Sequence, residues 1–210
     1  MWHELSVIAK HQKSATSISW SPDGHKLSFH SSYYSGEVDL DQFRSSVSAL
    51  PELVWSHFLD MFPPSFPESL KDSLSDLSIH SFRDSSDDER SLFDRSDNIE
   101  VFKPFREALS HSASDEDSMF KASYTTKLSS FLTLLAQFIM AGNGISMRSF
   151  QAAALQVAPS EEFPRNLFID DLLCYIGKPR AKQRGLAVYE AYWLLEPRVA
   201  LAIIAYTGIF

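Results

Sequence analysis

The sequence predicts a mainly α protein with two small β-hairpins, an α+β fold. Three observations carry that prediction. Apolar residues recur at steps of three and four over several long stretches, the period of a helix with one buried face. Two short apolar alternations flank turn residues, the mark of a hairpin. The 210 residues are 44% hydrophobic, enough to fill a sizeable core.

Taken in order, Ile18 and Trp20 alternate before Pro22-Asp23-Gly24, and Leu27 and Phe29 alternate after it. Proline fixes φ and glycine tolerates positive φ, so this is the first hairpin. The phrase is similar to one blade strand of a β-propeller, but no repeat at a 40-residue period follows, which excludes that architecture. Over 38–62, Leu40, Phe43, Val47, Leu50, Val54 and Phe58 fall on one helical face. Pro51 lies inside the pattern, where it kinks the helix or opens a second one. The run PPSFP at 63–67 ends the element.

Residues 68–118 are acidic, rich in serine and poor in aliphatics. Short helices over 91–109 are compatible with the pattern, but the composition predicts a mobile linker that cannot offset its chain entropy by burial. Order returns at Lys121. Leu128, Phe131, Leu132, Leu135, Phe138 and Ile139 form a helical stripe, with Thr125 or Thr126 as the cap and Gly142-Asn143-Gly144 as the stop. A helix over 146–157 follows. Apolar runs on either side of Asp170-Asp171 predict the second hairpin. Two apolar helices, over 186–195 and 197–208, complete the pattern. The domain reading is therefore a hairpin-plus-helix module (1–67), a linker (68–118) and a helical domain (119–210). The last residues, VALAIIAYTGIF, are apolar throughout. Termini are usually polar, so this predicts either a buried helix or a piece of a longer reading frame.

Charge is unevenly spread. Residues 1–117 hold 10 basic and 21 acidic side chains, net −11, and all seven histidines; residues 118–210 hold 9 basic and 6 acidic, net +3. The overall −8 argues against general coating of nucleic acid or membranes. A single cysteine excludes an internal disulfide and a cysteine-built zinc site. No stretch reaches the roughly 18 apolar residues of a membrane helix. The first 13 residues are too broken by charge for a signal peptide. The expectation is a soluble protein of a reducing compartment, without cofactor or metal.

The chemistry-bearing motifs are few. There is no G-x-x-x-x-G-K-[ST] phosphate loop, no G-x-S-x-G elbow and no paired-histidine metal spacing. Scattered histidines of this kind are ordinarily surface residues. Cys174 sits in an apolar strand, which predicts a buried, unreactive thiol. Arg148 at a helix start and Lys178 after the second hairpin, with Arg165, Arg180, Lys182 and Arg184, form a candidate phosphate-binding set. Arginine offers a planar fork to phosphate oxygens and lysine a point charge. Spacing alone suits a solvated basic loop better than a phosphodiester site. Ser85, Ser86, Ser112 and Ser114 each have an acidic residue three positions on, a pattern of acid-directed kinases, although a merely soluble stretch explains it more simply.

The phrases ISWSPDGHKLSFH, VDLDQFRSSV, FLTLLAQFIMAGNGISMR and RNLFIDDLLCYIGKP, in this order, resemble the region upstream of the helicase part in fungal telomere-linked RecQ-type helicase-associated and transposon-related proteins. That region is in turn similar to the tyrosine recombinase catalytic domain. The resemblance implies an incomplete recombinase-like helical core, a nuclear or otherwise cytoplasmic location, and DNA contact through residues 148–184. It matches Arg148 to the first phosphate-binding arginine and Lys178 to the hairpin lysine. The pattern then fails. No histidine follows His111, so His-x-x-Arg is missing; Arg198 lacks its histidine; and Tyr206 lies in an apolar helix. Without the second arginine and the tyrosine, neither charge neutralisation nor a covalent link is available. The expectation is a non-catalytic DNA-associated protein with Arg148 and Lys178 as vestigial positions. The alternative is a helical protein-interaction module that uses the apolar C-terminal helix and binds no nucleic acid.

Overall fold

A computed structural model describes residues 17–31, 35–84, 91–113, 117–142, 157, 159, 165–170, 173–177 and 192–210. Its fold is α+β. Two compact units divide the chain, residues 1–49 and 50–210.

In the first unit, β1 (Ser17–Trp20) pairs antiparallel with β2 (Lys26–His30). The turn between them follows from its residues. Gly24 takes φ +74°, the Ser21 hydroxyl donates to Asp23 Oδ1 at 2.5 Å, and the His25 N–H donates to the same oxygen at 3.0 Å. These donors, Ser21 first, hold the Asp23 carboxyl below its usual range. A third strand, β3 (Ser35–Asp39), pairs with β2, so the expected hairpin is a three-stranded sheet ordered β1-β2-β3. Register puts Ile18, Phe29 and Gly36 in one row and Trp20, Leu27 and Val38 in another. One face is therefore apolar, and the other carries serine, lysine and carboxylates. Helix α1 (Leu40–Leu59) begins after the strand, not at residue 38. Asp39 is its cap, with Oδ1 accepting from the N–H groups of Asp41 (3.0 Å) and Gln42 (2.9 Å). Pro51 lies within this single helix.

The second unit holds the buried core. Val54, Trp55 and Phe58 enter it from α1, followed by Met61, Phe62 and Phe66 in the connection after that helix. Residues 68–84 and 91–113, where composition predicts a linker, instead form α2 (Glu68–Ser75), two 3₁₀ turns (Ile79–Ser81 and Leu92–Asp94) and α3 (Ser96–Ala113). Leu74, Ile79, Phe82, Leu92, Phe102 and Phe105 are buried there. Six such side chains supply the apolar area that a count of serines and acids overlooks. The serines do not oppose the helices. Ser73 and Ser75 donate to the carbonyls of Ser69 (2.8 Å) and Lys71 (3.0 Å), which lie four residues back.

Helix α4 (Asp117–Ala141) buries Phe131, Leu135, Phe138 and Ile139, the predicted stripe. It starts before Thr125 and Thr126, so neither caps it, and it stops just before Gly142 as expected. The second predicted hairpin is β4 (Leu167–Asp170) against β5 (Leu173–Gly177). It too gains a strand, β6 (Tyr192–Leu194), paired with β5. Residues 192–194 are thus a strand, not the end of the helix expected over 186–195. The helix predicted over 146–157 and the remainder of 186–195 lie outside the described residues, Val157 excepted. Helix α5 (Pro197–Ile209) starts with proline as foreseen and is capped by Glu196, whose side chain accepts from the N–H groups of Arg198 and Val199. Nine of its residues, from Val199 to Ile209, are buried. The apolar final sequence is therefore a core helix.

Gly208 of α5 faces Phe102 of α3, and a Cβ there would overlap the Phe102 ring. Phe102 is fully buried and cannot swing away freely. Alanine would gain about 1 kcal/mol in helix propensity, against about 1–3 kcal/mol for overpacking. Gly208→Ala is expected to lower the urea unfolding midpoint, whereas an exposed-site control such as Ser129→Ala leaves it unchanged.

Candidate functional site

The C-terminal sheet organises the candidate residues. Its inner face carries Leu167, Ile169, Cys174, Ile176 and Trp193, all buried. Phe168 and Tyr175 pair on the opposite face, with rings stacked 5.6 Å apart. Arg165, just before β4, is enclosed: its side chain is 0% exposed and its Nη1 donates to Asp84 Oδ2 at 2.9 Å. Its guanidinium also sits 4.6 Å from the centre of the Phe168 ring. Asp84 is equally hidden, 2% exposed, and its Oδ2 accepts a second bond from the Ile169 N–H at 2.8 Å. One carboxylate thus ties the arginine and the first strand to the end of the 82–84 segment.

A second buried polar group works beside it. Asn98 of α3 is 0% exposed. Its Nδ2 donates to the carbonyls of Arg83 and Leu92, both at 2.7 Å, and its Oδ1 accepts from the Arg83 N–H at 2.9 Å. No spacing rule links Asp84 to Arg165, 81 residues apart, or singles out Asn98 in a polar helix start. Sequence reasoning missed both.

The phosphate-binding set is therefore divided. Arg165 belongs inside the protein, committed to Asp84, and is not a surface phosphate ligand. Arg148, Lys178, Arg180, Lys182 and Arg184 lie outside the described residues. By sequence, residues 178–184 directly follow Gly177, the last residue of β5. Arg198 is exposed and pairs loosely with Glu52, Nη1 to Oε1 3.4 Å. Tyr206 is half-buried and packs against the core, between Phe131 (5.6 Å) and Phe210 (5.7 Å). Cys174 is fully buried, and burial first, then the Asp84 charge, pushes its thiol up to about 12. Of the candidate kinase sites, Ser112 lies near the end of α3; Ser85, Ser86 and Ser114 are outside the described residues. Among the described residues no group of three His, Cys, Asp or Glu side chains is placed to hold a metal ion, and no helix is long and apolar enough to cross a membrane.

Removing one partner of a buried ion pair leaves the other charge uncompensated, which costs about 3–5 kcal/mol. Arg165→Met and Asp84→Leu are each expected to destabilise the chain by that order in urea titrations. The double variant is expected to recover the part of the loss due to the unpaired charge, and to retain about 1–3 kcal/mol for the Ile169 N–H that loses its acceptor. Cys174 gives a separate check. Its thiol ionises near 9.0 ordinarily and near 12 when folded, so the folded state retains the proton between these values. The stability this adds is complete below pH 9 and is lost as the pH rises from 9 towards 12. Thiol labelling of the native chain at pH 8 is expected to proceed only as fast as the protein opens, and rapidly in 6 M urea.

No family model matches the chain, and no solved structure matches it. Disks large-associated protein 2 of Rattus norvegicus is 31% identical over 85 residues. The matched region is 40% of this chain and 8% of that protein, so the chain spans only a small part of its length.

Proposed function

We propose that this chain is a non-catalytic, DNA-associated protein whose second unit is a degenerate, recombinase-like helical domain that meets phosphates through residues 148–184. The observation that carries the reading is the connection between β5 and β6. This connection, residues 178–191, holds four cations (Lys178, Arg180, Lys182 and Arg184) and one acid, Glu190, in a chain of net charge −8. The strands on both sides of this connection are paired in one sheet, and the Asp84 carboxylate holds that sheet's first strand. A cationic connection between two strands of a pinned sheet is suited to positioning against a phosphate backbone. Arg148 joins it on the strength of the family resemblance alone. The lack of catalysis follows from the missing His-x-x-Arg and from Tyr206, which is packed against two phenylalanine rings. The protein-interaction alternative relied on an apolar C-terminal helix, and α5 is enclosed on most of its surface.

Duplex binding by the full chain, measured across a salt series, tests the reading. Binding is expected to weaken steeply with salt. Arg180, Lys182 and Arg184 replaced together by alanine are expected to reduce the slope of log K against log salt by about 2 to 3, since each lost phosphate contact contributes about 0.9. Absent binding, or a slope unchanged by the triple variant, overturns the proposal.

A further inference from the structure

A pocket of about 240 Å³ opens in the second unit where the C-terminal half of α1, the end of α2, the first 3₁₀ turn and the start of α5 meet. Its lining includes none of residues 148–184 and owes nothing to the DNA reading. Its floor is apolar. Trp55, Ile79 and Leu201 line it and are each 5% exposed or less. Its rim is polar and carries Ser78, His80 and Arg198.

We infer that this pocket binds a small organic anion, an aromatic or aliphatic body bearing a phosphate or carboxylate. The size and the lining set the body. Recognition pockets are concave and mostly apolar with a few placed polar groups, and this one is below the usual range for drug-sized molecules, so it suits a single ring with a short head group. The charge sets the head. Arg198 is the lining cation, and a guanidinium takes a phosphate or carboxylate through two parallel hydrogen bonds. Its present partner is a poor competitor. Glu52 Oε1 stands 3.4 Å from Nη1, and the two side chains are 70% and 53% exposed. Such a pair is worth little in water. An anion whose body covers the apolar floor also removes water from Arg198, which strengthens its own contact with that cation. The first N–H groups of α5 are not part of the site, because the Glu196 side chain already occupies them. Selectivity for charge therefore rests chiefly on the Arg198 side chain, with the Ser78 hydroxyl and the His80 imidazole beside it at the rim.

Phenyl phosphate and benzyl alcohol are suitable probes, the second sharing the ring without the charge. Titration calorimetry of the full chain is expected to give one phenyl phosphate per chain and at least ten-fold weaker binding of benzyl alcohol. Arg198→Gln is expected to weaken phenyl phosphate by ten-fold or more and to leave benzyl alcohol unchanged. Glu52→Gln, which removes the competing carboxylate, is expected to tighten phenyl phosphate several-fold. Both positions are exposed, and circular dichroism of each variant is expected to match the parent. No binding of phenyl phosphate at 10 mM, equal binding of the two probes, or binding indifferent to both substitutions overturns the inference.

Discussion

A helix that is apolar on every side must be covered on every side, and α5 imposes that requirement on the second unit. Its sequence between Pro197 and Ile209 offers only Arg198, Tyr206 and Thr207 as polar side chains. Each neighbouring element contributes large side chains to the enclosure. Phe102 of α3 lies over Gly208, Phe131 of α4 over Tyr206, and Phe62 reaches Phe210 with ring centres 5.5 Å apart. The rings continue outward through Phe58 to Phe62 (5.6 Å) and Phe62 to Phe66 (4.4 Å), and separately from Phe82 to Phe102 (5.4 Å). The phenylalanines buried in the second unit, Phe58, Phe62, Phe66, Phe82, Phe102, Phe105, Phe131 and Phe138, fit this demand. Aromatic pairs contribute about 0.5–1.5 kcal/mol beyond the area they bury, and their flat shapes fit between helices where a glycine permits close approach.

The elements that local pattern reveals are those whose periodicity is their own. The turn at Pro22-Asp23-Gly24, the stripe from Leu128 to Ile139 and the proline at the start of α5 follow from residues a few positions apart. The elements that pattern conceals depend on distant partners. Strand β3 reads SGEVD and has one apolar residue, Val38, to mark its apolar face. Strand β6 is three residues long and sits in an apolar run that cannot be told from helix by period. Helices α2 and α3 are hidden by serine and acid, although the few apolar residues they hold are the buried ones.

The candidate site divides along the same line. Cys174 is legible as a buried thiol because its strand neighbours are apolar. By charge type alone Arg165 falls among the surface cations, since charge carries no address. Only the fold discloses that Asp84 pairs with it, and that the cation left at the mouth of a pocket is Arg198, a residue without a motif around it. A solvated and a buried arginine have the same letter, and what separates them here is a carboxylate 81 residues away.

The paired anchors at Asn98 and Asp84 have a topological consequence. The amide of Asn98 holds the carbonyl of Arg83 on one side of residues 85–90 and that of Leu92 on the other, while Asp84 is fastened to Arg165 and Ile169. Both ends of this short acidic stretch are thus fixed independently of the peptide bonds that join them. The placement of Arg83, Asp84 and Leu92 is thus set by Asn98, Arg165 and Ile169 across space, and does not depend on the peptide bonds between positions 84 and 91 in the way that the hydrogen bonds inside α3 or α5 depend on theirs.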